Sequence, residues 1–333
     1  MKSLPGEVKS MARDCTIVIP TTDRPAMLRN TLASIRRQLA VDRIVSVIVS
    51  ENAGGKQTAI VCKEFPELPI ECLFQDSPLG PGEHVAKLIA MTTAPYVALV
   101  CDDDWWAPGH LGVALRELDR NADCSAHLSA HTWCDGEIAM RSGNQDQELL
   151  WIAAACPPPQ SAWRLEPDTV VALCTLMTPF TFSGLVMRQV CVSPVVGALD
   201  AVEHSLLLDR AFFPALAEIG PILYEPSVDT YYRVHAGNYT TDKSPAWLLG
   251  LRIRGSSEFQ KFATKRGVDV PSTVSYWYSV MSTAGARQLT QRMLSELGFT
   301  RAVELGVPRS QALRLVVGTA KRRLGASLRR LFG

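Results

Sequence analysis

What this 333-residue sequence lacks narrows its function first. Its nine cysteines include no CxxC pair, and several sit inside apolar runs where a reduced thiol behaves as a small hydrophobe, so neither a zinc framework nor a disulfide scaffold is expected. The formal net charge is only +1, which gives no support to a nucleic-acid partner held on a broad basic surface. No window approaches the roughly 18 uninterrupted apolar residues of a membrane span, and the opening MKSLPGEVKSMARDC lacks the apolar centre of a signal peptide. Internal repeats and low-complexity tracts are also missing. A cytoplasmic globular protein is the resulting expectation, and 47% hydrophobic with 20% charged residues is enough for a sizeable core.

What is present is an alternation over the first 120 residues. Short β-branched runs (CTIVIP, IVSVIV, IECLF, YVALVC) are separated by helical patterns near 25–39, 56–64 and 83–92. Leu28, Leu32, Ile35 and Leu39 repeat at helical spacing, as do Val85, Leu88, Ile89 and Thr92, giving each helix one apolar stripe. The strands read as continuous apolar runs, so both of their faces are covered. Together with helical crossovers this predicts an α/β fold with a doubly wound, mostly parallel sheet. From 121 to 240 the pattern loosens, with CPPPQ at 156–160, a strand-like FTFSGLVMR at 180–188 and a helical DRAFFPALAEIG at 209–220. A linker is expected at YTTDKSPA, with mainly helices beyond it.

Doubly wound sheets bind ligands at the carboxyl ends of their strands. Thr21, Thr22 and Asp23 follow the first strand, Glu51 and Asn52 the second, and Asp102, Asp103 and Asp104 the fourth. Three adjacent carboxylates repel: at about 4 Å each pair costs roughly 1 kcal/mol in water and about 4 kcal/mol near a protein surface. A magnesium or manganese ion sharing its coordination with substrate phosphates would relieve that repulsion. The plainer alternative is a solvated acidic turn ahead of a helix.

The stretches TIVIPTTDRPAMLRNTLASI, SENAGG, PLGPGEHVAKLIAMTTAPYVALVCDDDWWAPG, LDRAFFPALAEIGPILYEP and YYRVH together resemble the family-two glycosyltransferases over roughly residues 14–240. The resemblance implies a GT-A fold, with a catalytic domain at 1–240 and a helical region at 241–333. It also implies a metal-dependent, inverting transfer of a sugar from a nucleoside-diphosphate sugar, a UDP-sugar first among them, to a carbohydrate or lipid-linked acceptor hydroxyl, using Mn2+ or Mg2+. Glycan, envelope polysaccharide or glycosylated-metabolite synthesis would be the setting.

By that resemblance Pro20, Thr21, Asp23 and Arg24 hold the nucleobase and ribose, and Glu51, where Asp is more usual, does so with Asn52 beside it. Gly80, His84 and Lys87 match a glycine and helix near the diphosphate. The family's Asp-X-Asp aligns with Cys101 and Asp103, a departure at the first position. Asp103 is therefore expected to ligate the metal, with Asp104 beside it and Asp102 aimed at the ribose or a metal-bound water. Arg233 and His235 fall near the leaving diphosphate and the metal, His235 as a candidate ligand. Trp105 and Trp106 either pack in the core or wall the sugar site. Asp209 falls at the catalytic base, with Leu208 replacing a family Glu and with Glu203 and His204 as fallbacks. A carboxylate there can take the acceptor proton as the new bond forms.

Two rivals remain at the level of sequence. A nucleotidyltransferase would carry a Gly-rich basic loop after the first strand, and PTTDRPAML has no glycine. A non-catalytic sugar-nucleotide or glycan-binding homologue is suggested by Cys101 and Leu208. The C-terminal stretch has seven basic residues from Arg309 onward and a stripe of Leu313, Val317, Ala320, Leu324, Leu328 and Leu331. It can pack on its own domain or lie peripherally on an anionic membrane. A homodimer is compatible with the sequence.

Overall fold

The computed structural model describes residues 13–52, 54–135, 138–140, 162–176, 180–201, 208–235, 238, 290–291, 294, 299–300, 302–303 and 307–316. Along the chain run β1 (Cys15–Thr21), α1 (Pro25–Arg36), β2 (Ile44–Glu51), α2 (Gln57–Lys63), β3 (Ile70–Phe74), α3 (Pro81–Ala90), β4 (Tyr96–Leu99), β5 (Trp105–Trp106), α4 (His110–Arg120), β6 (Ala126–Asp135), β7 (Ile138–Met140) and β8 (Trp163–Leu165). They are followed by α5 (Pro167–Leu176), β9 (Leu185–Arg188), α6 (Val192–Asp200), α7 (Leu208–Ile219) and β10 (Ile222–Arg233).

The strands form one mixed sheet in the order β3-β2-β1-β4-β9-β6-β10-β5, with β7 on β6 and β8 on β10. β3, β2, β1 and β4 are mutually parallel, as their crossover helices require, and β6 runs parallel to β10. β9 joins the two wings antiparallel to both β4 and β6. The fold is thus α/β with helices flanking a largely parallel sheet.

Ile17 and Ile19 point one way from β1, with Val47, Val49, Ala98 and Val100, into a core shared with Leu28, Leu32 and Ile35 of α1 and Leu111, Leu115 and Leu118 of α4. Val18, Ile48 and Leu99, of the alternate register, are buried as well. Burial on both faces is why these strands carry no polar alternation.

Helix α1 starts with Pro25 in its first turn and stops at Arg36, three residues short of the expected end. Leu39 therefore leaves the apolar stripe. It is 81% exposed, and its backbone N–H donates to Pro108. The strand expected over 180–188 is shorter too: residues 182–184 form a 3-10 turn, and only Leu185–Arg188 pair in the sheet. The 156–160 segment and the 239–246 linker lie outside the described residues.

By internal packing the chain separates into two units, one of Met1–Leu149, Cys156–Val171 and Thr178–Asn238, the other of Leu150–Ala155, Ala172–Met177 and Tyr239–Gly333. In the second unit, residues 309–316 are helical, with Ala312 and Leu315 buried and Leu313 46% exposed. Val317, Ala320, Leu324, Leu328 and Leu331 of the expected stripe lie outside the described residues. Among the described residues no helix is long and apolar enough to cross a membrane.

Candidate active site

The register of the parallel wing sets the site. Thr21 pairs with Glu51, and Val18 with Leu99, so β1 and β2 end side by side while the chain after β4 turns across the end of β1. Asp23, immediately beyond β1, has φ 48, a left-handed conformation that aspartate tolerates better than most residues. That turn aims the Asp23 N–H at the Glu51 carboxylate, 3.1 and 3.3 Å from its two oxygens. The Thr58 hydroxyl donates to the same group. Glu51 is fully buried, and its longer side chain serves to pin the Asp23 turn. A Cβ on Gly55 would come within 2.9 Å of Asp23 Oδ1, so glycine lets the Asp23 carboxylate stay where it is. Asn52 pairs with Leu79 like a strand residue, its side chain donating to the carbonyl at 2.9 Å and accepting from the N–H at 2.8 Å. That pair of hydrogen bonds ties down the loop leading to Gly80 and α3.

At the end of β4 the three aspartates are all buried or nearly so, with Asp103 9% exposed. Thr31 of α1 holds the turn through its hydroxyl, which lies 2.9 Å from the Asp102 carbonyl and 2.6 Å from that of Asp104. The side chains then diverge. Asp102 accepts from the Thr21 hydroxyl at 2.7 Å and from the Thr22 N–H, fastening the turn to β1. Asp104 accepts from the Ser183 hydroxyl and, at 2.9 Å, from the Arg233 N–H, fastening the turn to the end of β10. Asp103 faces the basic groups: Arg24 at 2.8 Å and His235 Nε2 at 3.1 Å. The Arg24 guanidinium also reaches Asp102 at 3.1 Å, so it bridges two of the three carboxylates.

Burial, and then the Asp103 charge, pushes Asp102 up to about 6 against the pull of Thr21 and Arg24. Asp104 is pushed well above the ordinary carboxylate range by the same two causes. The Cys101 thiol is held well up by burial and by the charges of Asp104 and Asp103. Each shift records negative charge confined away from water, which a cation at this corner would reverse. Oxygens of Asp103 and Asp104 and the sulfur of Cys101 lie within 4.8 Å of one another, close enough to share one ion. The two carboxylates suit magnesium or manganese and the Cys101 thiol does not, so the fit to the expected metal rests on Asp103 and Asp104.

The two tryptophans part company. Trp106 is core: it stacks on His110 at 4.5 Å, and its indole N–H donates to the Ser183 carbonyl. Trp105 is half-buried, stacks on Tyr231 at 5.4 Å and carries the Arg233 guanidinium over its face at 4.7 Å. Arg233 also donates from Nε to the Asp103 carbonyl, so the end of β10 belongs to the acidic corner.

Two residues that the resemblance places near the diphosphate have partners within the fold. His84 is buried and shares a 2.9 Å hydrogen bond with Ser50 of β2, and burial depresses its basicity. Lys87 donates to Gln75 at 2.6 Å. Among the described residues neither bonds to the acidic turn. Gly80 caps α3, and Pro20 lies in β1. Asp209 stands half-buried in the first turn of α7. Its neighbour Leu208 packs so closely on Gly82 that a Cβ there would meet it at 2.4 Å, which places Asp209 beside the glycine-bounded start of α3. Glu203 and His204 lie outside the described residues. Ser183, Thr31 and Thr58 were not legible from sequence as site residues. Thr31 and Ser183 act through partners more than seventy residues away, Thr58 through Glu51, and a lone hydroxyl carries no local signature.

Residues 16–153 match the glycosyl transferase family 2 profile. No curated protein sequence matches the chain. Among solved structures it is similar to residues 1–349 of S. aureus TarS in complex with UDP-GlcNAc, at 14% identity and TM-score 0.51, over 90% of this chain and 79% of that one. The same fragment with UDP aligns over 92% of each chain at 12% identity and TM-score 0.51. The mannosyltransferase PcManGT from Pyrobaculum calidifontis, in complex with GDP-Man and Mn2+, aligns at 14% identity and TM-score 0.52, over 92% of this chain and 87% of that one.

Proposed function

We propose, for a chain that belongs to glycosyl transferase family 2 and has the GT-A fold, that it is a metal-dependent inverting enzyme moving a sugar from a nucleoside diphosphate to an acceptor hydroxyl. The observation that carries this reading is the buried carboxylate corner, where three aspartates meet Arg24, Arg233 and His235 at the ends of β1, β4 and β10. Ligands seen in the structural neighbours support it: UDP and UDP-GlcNAc with TarS, and GDP-Man with Mn2+ in PcManGT. A UDP-sugar is the first donor to test.

In this reading Asp103 holds Mn2+ or Mg2+, with Asp104 and His235 completing the protein's share. Bound there, the ion would neutralise charge developing on the departing diphosphate. Asp102 keeps the turn on β1 and faces the ribose side. Arg233 is oriented by Asp104 and Trp105 and adds a fixed positive charge beside the leaving group. The Asp23 turn, pinned by Glu51, receives the nucleobase. Asp209 takes the acceptor proton from the face opposite the diphosphate, so that one displacement inverts the anomeric centre. Residues 1–240 are read as the catalytic domain and 241–333 as a separate region whose basic C-terminal stretch could meet an anionic lipid surface.

The test is nucleoside diphosphate release from a panel of donor sugars with Mn2+ or with EDTA, followed by NMR assignment of the product's anomeric configuration. Metal-dependent release with inversion is the expected outcome. Tight donor binding without release, for any acceptor class offered, would favour the binding-homologue reading to which Leu208 points.

A further inference from the structure

We infer that Arg24 is a tethered counter-ion that occupies the acidic corner in place of the divalent ion and must be displaced for that ion to bind. The inference rests on the metal reading above. Arg24 spans Asp102 at 3.1 Å and Asp103 at 2.8 Å, and these two carboxylates are largely buried while the guanidinium keeps about a third of its exposure. A guanidinium is rigid and permanently charged, and its donors can engage two carboxylates at once. It therefore neutralises charge that would otherwise be buried without compensation. The same Asp103 oxygen, Oδ2, accepts both Arg24 and His235. An ion seated between Asp103 and His235 would compete with Arg24 for that oxygen.

The arginine extends from a fixed support. It follows Asp23, whose left-handed turn is held by the Glu51 carboxylate, and it precedes Pro25, where α1 begins. Its own backbone, φ −121 and ψ 57, belongs to neither strand nor helix. Its carbonyl accepts from the Leu28 N–H as α1 begins, so the backbone is fixed and displacement of the guanidinium is a side-chain movement.

The test is a Mn2+ titration followed by electron paramagnetic resonance in the absence of nucleotide, paired with thermal melting in EDTA and in Mn2+, on the wild type, Arg24→Gln and Arg24→Lys. Arg24→Gln is expected to bind Mn2+ about tenfold more tightly than the wild type, to melt lower in EDTA, and to recover more on adding Mn2+. Arg24→Lys keeps the charge on a single ammonium and should fall between the two, which supplies the readout if the glutamine variant does not fold. Equal Mn2+ affinity in all folded chains would overturn the counter-ion role and leave the metal reading standing. No Mn2+ binding to any of them would overturn both.

Discussion

Glu51 and Asp103 stand two strands apart on the same edge of one sheet, and their carboxylates live under opposite conditions. Glu51 is a single charge met by neutral donors, the Asp23 N–H and the Thr58 hydroxyl, which position a turn. Asp103 lies between two further aspartates, shares Arg24 with Asp102 and alone faces His235. A carboxylate satisfied by amide and hydroxyl groups is at rest. A crowd of carboxylates leaning on one bridging arginine has a surplus that a cation can use. Residues of one chemical type thus divide into a scaffold end and a reactive end, and the division follows from the donors around them.

The largest effect that would break this comparison is at the reactive end. Asp103→Ala is expected to remove divalent-dependent donor binding and to lower turnover by about 10³-fold or more, with the melting curve retained; steady-state kinetics and calorimetry with and without chelator check both. Asp209→Asn comes next. It should keep donor affinity and lose about 10²- to 10⁴-fold in kcat, measured by product formation against nucleotide binding.

Acid should act on stability through the packing behind the acidic turn. His110, stacked on Trp106, and the buried His127 have ring nitrogens without hydrogen-bond partners among the described residues. Burial holds them down to about 3 and about 4, respectively. The unfolded chain takes up these protons near pH 6.5, so their stabilising share is complete above that pH and is lost as pH falls toward 4. At pH 5 the loss is about 2 kcal/mol per histidine, and chemical denaturation across pH 5–7 reads it. His127→Leu should remove one histidine's share of that loss, since His131, also held down to about 4 by burial, adds a third and Asp102, pushed up to about 6, acts in the opposite sense.

At the scaffold end, Glu51→Gln is expected to cost about 1–3 kcal/mol of stability and leave Mn2+ binding intact. A loss of metal affinity in that variant would show that the two ends are less separate than their hydrogen bonds suggest. The smallest effect belongs to Lys87→Ala, which should change stability by no more than about 0.5 kcal/mol and leave donor affinity unaltered, since Lys87 is spent on Gln75.

The parallel wing was legible in the sequence because its determinants are local. Apolar runs buried on both faces gave β1 to β4, and Leu28, Leu32 and Ile35 gave α1. β6, β9 and β10 were harder, since their pairing joins residues far apart in the chain, and the turn that shortens β9 is held by Ser183 contacts that no periodicity encodes. Leu39 was misread because spacing alone cannot show where a helix stops. In the site, the acidic triplet and the strand-end residues stood out by chemistry. The opposing roles of Asp102 and Asp104, one fastened to β1 and the other to β10, depend on threonine, serine and backbone partners visible only after folding. His84 and Lys87, which the resemblance places near the diphosphate, bond to Ser50 of β2 and to Gln75 in the loop after β3, partners that only folding brings to them.

The most direct test of the central claim is an anomalous-scattering crystal structure of the protein with Mn2+ and a nucleoside diphosphate. A manganese peak within coordination distance of Asp103 and His235, bridging to the diphosphate, is the expected result. A nucleotide bound with no ion at that corner, and with Arg24 still spanning Asp102 and Asp103, would contradict it.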